Sequence, residues 1–169
     1  MNTNTQNNTQ PLSITAQGMK SNFQDQLSDF FDFSDVLGHT QTITELCLAF
    51  TGATASIDRL RMDIADMVCR ADKIREFIKD VEAALAQDDS CLDDCDVEAL
   101  SNLTGVDGSA ALIEILKWSL QCWIYFDDQV LSIDDVQDAA YKFQIISKVI
   151  EACNEINSRT NKQGGLLCA

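Results

Sequence analysis

Apolar residues fall at Ile43, Leu46, Phe50, Ala53, Ile57, Leu60, Ile64, Met67, Ala71, Ile74, Ile78, Val81 and Leu85, in steps that alternate three and four over six heptads. This spacing puts one apolar side chain per turn on a single stripe and predicts a coiled-coil seam or long bundle helix over 43–86. Asp58, Arg59, Arg61, Asp63, Asp66, Arg70, Asp72, Lys73, Arg75, Glu76 and Lys79 lie between the seam positions and predict a solvated face. A straight helix of that length spans about 65 Å, at about 1.5 Å per residue. Gly52 sits inside it and softens it by about 1 kcal/mol relative to alanine.

The same rhythm returns at Val136, Ala139, Phe143, Ile146, Ile150 and Cys153, with Ile145, Val149 and Ile156 as a second stripe beside it. So wide a face predicts a helix over 133–158 that touches two neighbours. Ser132 stands three before Asp135, the spacing of a capping box. Leu112, Ile113, Leu116, Leu120, Trp123, Phe126 and Val130 predict a helix over 110–130, capped by Ser109 and buried on more than one side. Its aromatic residues Trp118, Trp123, Tyr125 and Phe126 read as core. Phe23, Leu27, Phe30 and Phe31 suit a short amphipathic helix that Gly38 ends.

These elements predict an all-α protein. The 43–86 helix pairs antiparallel with the 133–158 helix in a long coiled-coil-like hairpin, and the aromatic-rich 110–130 helix covers one side. Ile57, Leu60, Ile64, Phe143, Ile146 and Ile150 form its central layers. Residues 1–20 read as a flexible polar leader, because nine of the first ten are Asn, Thr or Gln and no charge precedes Lys20. Residues 21–160 read as one helical domain, and 161–169 as a loose tail after Gly164 and Gly165.

Charge narrows the choice of partner. The formal net charge is −15, and the segment from Asp80 to Asp138 holds fifteen acidic residues against one base, Lys117. Such a surface repels nucleic acid and anionic membrane, and suits a basic protein partner. The run WSLQCWIYF at 118–126 is too short to span a bilayer. Nothing near the N-terminus has the charged flank and apolar stretch of a cleaved export signal, so the expectation is a cytoplasmic protein or one exported without such a signal.

The densest charge lies in DDSCLDDCDVEAL, residues 88–100, with six carboxylates and two cysteines. An EF-hand needs a glycine at its sixth position and a glutamate at its twelfth, and the run supplies neither in register. Zinc needs a second ligand pair beyond Cys91 and Cys95, and the one histidine, His39, is remote in sequence. No metal and no cofactor is therefore expected. Helix physics accounts for the run. Asp93 or Asp94 caps a short helix that stops at Gly105, and Asp96 and Glu98 favour its positive end. The charge exceeds what capping needs, so Asp88, Asp89, Asp93, Asp94, Asp96 and Glu98 form the candidate partner-binding set.

No GxSxG, phosphate loop or HExxH motif occurs, and no enzyme is predicted. His39 follows Gly38 at a helix start and reads as a capping or solvated residue. The seven cysteines show no CxxC pair and read as reduced. Cys47, Cys69, Cys122 and Cys153 are expected on packed faces, and Cys168 in the tail is expected to be reactive.

The leader MNTNTQNNTQPLS, the 43–85 heptads and the stretch SIDDVQDAAYKFQIISKVIEACNEINS together cover about half the chain. In this arrangement the chain resembles the extracellular filament and needle-tip proteins of bacterial type III secretion. The resemblance implies a secreted, non-enzymatic assembly subunit joined to copies or partners through helix faces. The alternative is a cytosolic acidic adaptor or chaperone for a basic or amphipathic protein.

Overall fold

A computed structural model describes residues 22–51, 63–87, 89–105, 108–125 and 132–166. The described residues form six α-helices and no strand: α1 (Asn22–Phe33), α2 (Val36–Phe50), α3 (Ile64–Gln87), α4 (Asp94–Thr104), α5 (Gly108–Tyr125) and α6 (Ile133–Leu166). The protein is all-α, as its periodicity predicts.

The 43–86 seam is divided between two helices rather than carried on one. α2 ends at Phe50, where the Thr51 N–H bonds back to the Cys47 carbonyl at 3.0 Å, and α3 opens at Ile64. α2 also packs against α3, which no part of one straight helix can do. The stripe nonetheless faces inward on both pieces. Ile43 and Leu46 from α2, and Met67, Ala71, Ile74, Ile78 and Val81 from α3, are buried in one core. Ile64 is the exception, at 54% exposed on the first turn of α3. Ala53, Ile57 and Leu60 lie outside the described residues.

Consequently the pairing differs from a simple hairpin. α6 meets the α2 portion of the predicted rod, and also α1, α4 and α5, while α3 packs on α5, α1, α2 and α4. The second stripe of α6 explains these many neighbours, since Ile145, Val149 and Ile156 are all buried beside Phe143, Ile146 and Ile150. α5 buries Leu112, Leu116, Leu120 and Trp123 against both α2 and α3.

Local signals set most of the ends. Asp93 caps α4, Gly105 closes it, and Ser132 and Asp135 bond reciprocally at the start of α6. Gly38 does not end the first helix. The chain turns at Ser34, Asp35 caps α2 by accepting the Gly38 N–H at 2.8 Å, and Gly38 lies in the first turn. A Cβ at Gly38 would meet the Ser34 hydroxyl, which would have to rotate away to admit it. α5 opens at Gly108, whose φ of 74° is left-handed, and Ser109 is buried inside the helix rather than capping it. α6 continues through Gly164 and Gly165 to Leu166 where a loose tail is predicted. An established helix gains a hydrogen bond per added residue, which offsets the cost of each glycine.

Candidate partner-binding site

The acidic stretch folds largely onto itself. Asp93 accepts the Asp96 N–H at 2.8 Å, and Asp96 accepts the Asp93 N–H at 3.1 Å, a reciprocal capping box. Arg159 on α6 then bonds Asp93 at 3.1 Å through Nη1 and Asp96 through Nη2. The backbone bond from Asp96, with Arg159 behind it, holds the Asp93 carboxyl below the usual carboxylate range. Asp89 accepts the Cys91 N–H at 3.0 Å and the Phe23 N–H at 3.4 Å, tying the loop before α4 to the start of α1. Of the candidate set, Asp94 and Glu98 are exposed on α4. Asp88 lies outside the described residues.

Beside this latch is a 210 Å³ cleft lined by Ser90, Cys91, Leu92, Asp93, Asp96, Arg159 and Thr160. Cys91 is half-buried and Cys95 exposed. Cys153 is buried behind the cleft. Burial above all, with Cys91 and Asp96 nearby, pushes its thiol far up and keeps it protonated. No group of three or more His, Cys, Asp or Glu among the described residues is placed to hold a metal. Cys69 is exposed on α3 and Cys47 half-buried, so only Cys122 and Cys153 of the expected four are buried. Cys168 lies outside the described residues.

His39 is neither solvated nor a cap. It is fully buried on α2, stacked 3.9 Å from the Phe30 ring at 4°. Phe30 stacks in turn 3.8 Å from Phe77 at 8°, so α1, α2 and α3 meet through three parallel rings. His39 Nε2 lies 3.2 Å from the Phe30 carbonyl. A carbonyl can only accept, so Nε2 bears the proton and Nδ1 keeps the lone pair. Nδ1 is buried without a hydrogen-bond partner, and the nearby Ser34 backbone favours the protonated ring. Burial chiefly, with Arg70 adding to it, lowers the imidazole below its ordinary value against the opposing pull of the Phe30 carbonyl and Asp35. A ring sealed in this way has no path to a substrate.

A third feature went unread in the sequence. Trp118 reads there as core, but it is 45% exposed and lines an open pocket of 320 Å³ between α2, α5 and α6. Phe50, Ala111 and Ile115 form apolar lining, and Glu114, Asp135 and Lys142 supply charge. Trp118 Nε1 donates to Glu114 Oε1 at 3.4 Å, one helical turn away. The signal was present: Trp118 shares a stripe with Glu114 and Gln121, away from Leu112, Leu116 and Leu120. Trp123, by contrast, is buried as predicted, while the Tyr125 side chain and Phe126 lie outside the described residues. The chain matches no family model, and neither a curated protein nor a solved structure matches it.

Proposed function

We propose that this chain is a non-enzymatic interaction module that binds a basic or amphipathic segment of another protein. One observation supports this above the others. The segment holding fifteen acids against one base also presents an exposed tryptophan in an open pocket. Acidic rims around an apolar centre steer and hold a basic amphipathic partner. No helix among the described residues is long and apolar enough to cross a membrane.

The alternative is a secreted filament or tip-like subunit. It would have to assemble through faces other than the 43–85 seam, because Ile43, Leu46, Ala71, Ile74, Ile78 and Val81 lie in the core of the chain itself. Leu37 and Ile64 are exposed apolar positions available to it.

Titration of the full chain with a helical amphipathic peptide, once with a basic polar face and once with an acidic one, tests the adaptor reading. The basic peptide should bind and weaken as salt rises. Equal binding of both peptides overturns the reading. Sedimentation in parallel addresses assembly, for which mass should grow with protein concentration.

A further inference from the structure

We propose that the pocket between α2, α5 and α6 receives an arginine side chain from the protein partner, an inference that rests on the adaptor reading above. Two carboxylates from different helices face this pocket, Glu114 from α5 and Asp135 from α6. Each keeps an oxygen for a ligand. Glu114 Oε1 takes only the long bond from Trp118, and Oε2 has no partner among the described residues. Both Ser132 groups bond Asp135 through Oδ2, at 3.0 and 2.7 Å, which leaves Oδ1 unengaged among those residues. The Ser132 bonds also favour the ionised form of Asp135, so the charge is present at neutral pH.

Lys142 does not cancel that charge. Its Nζ is 2.6 Å from Asp138, and the pair is internally neutral. The remaining lining suits the rest of an arginine. Phe50, Ala111 and Ile115 offer apolar contact to the three methylenes, and the Trp118 indole offers a surface on which a guanidinium stacks. A planar fork can span two carboxylates while lying on an aromatic ring; an ammonium is a point charge and uses one partner at a time. The volume of 320 Å³ admits one long side chain together with its flanking turn, and is too small for a folded domain to enter.

The experiment uses the full chain and three helical peptides alike except at one central residue, which is arginine, lysine or the neutral isostere citrulline. Calorimetry should show the arginine peptide binding about tenfold more tightly than citrulline, with lysine between them. Glu114→Gln and Trp118→Leu should each erase most of that preference. Both side chains are exposed, so the folded state survives, as an unchanged melting temperature would verify. Glu151→Gln, on an exposed turn of α6 away from the lining, should bind as the parent does. Equal affinity for arginine and citrulline, or a preference that both pocket variants retain, overturns the pocket while leaving the adaptor reading in place. Failure of the parent to bind any basic peptide overturns both.

Discussion

Two polar constellations join helices in this protein, and they do so in opposite ways. At the α1–α2–α3 junction, one imidazole is fully buried at the end of a ring stack, makes a single hydrogen bond, and leaves Nδ1 unpartnered. At the α4–α6 junction, Arg159 is half exposed and makes two charge-assisted bonds, to a capping box that already satisfies itself. By count of polar contacts the second should matter more. By physics it should matter less, because water competes for every exposed pair while burial magnifies each defect.

The largest expected effect comes from emptying the first junction. Phe30 lies between His39 and Phe77, so Phe30→Ala removes contacts to both and leaves a cavity at the meeting point of three helices. A loss of about 3–5 kcal/mol in urea unfolding is expected. A loss below about 1 kcal/mol would mean that the rings are not packed as described.

The second effect depends on pH. The folded-state pKa of His39 is lowered, so below about pH 6.5 the unfolded chain takes up the proton more readily than the folded one. Stability is full above that value. It falls as pH drops toward the folded value, and levels off below it. His39 is the one histidine in the chain, and most carboxylates titrate lower, so this step can be isolated. In His39→Phe the urea midpoint should stay flat between about pH 6.5 and 5 while the parent declines. Matching slopes in the two proteins would sink the assignment.

Third, the divided seam separates two positions that the heptad pattern treats alike. Ile74→Asp puts a charge into the fully buried stripe and should cost about 2–3 kcal/mol. Ile64→Asp should change the melting curve little, because Ile64 stands in solvent on the first turn of α3. Similar losses at the two sites would restore a continuous buried seam.

What the sequence disclosed follows the range of the interactions. The α4 cap at Asp93 or Asp94, the Gly105 stop and the Ser132–Asp135 cap lie within a few residues of their partners, and all three were legible; the return bond from the Asp93 N–H to Asp96 was not. The seam was legible as periodicity. Its division was not, because a rod and two folded helices share one period and differ only in what each stripe meets. His39 looked like a surface residue because the ring stacked on it arrives from α1, backed by Phe77 of α3. Arg159 meets Asp93 and Asp96 across 66 and 63 residues of chain, which no local pattern encodes. Trp118 was misplaced for a different reason. Tryptophan is usually buried, and composition outweighed the polar stripe it occupies.

The smallest effect separates the two components of the exposed latch. The Asp93 carboxyl is held low first by the Asp96 backbone N–H and only then by Arg159. Arg159→Gln should therefore leave stability nearly unchanged at physiological salt, and any change should vanish as salt rises. Asp93→Ala removes the cap itself, frees the Asp96 N–H, and should cost more than Arg159→Gln at every salt concentration. Its cost should shrink only as pH falls through the lowered folded value of Asp93, because the stabilisation from a depressed carboxyl is present above its unfolded pKa and lost below the folded one. Thermal melts of both variants at low and high salt decide between cap and ion pair. If Arg159→Gln costs as much as Asp93→Ala, the exposed latch gains its strength from charge, and the contrast with the buried imidazole fails.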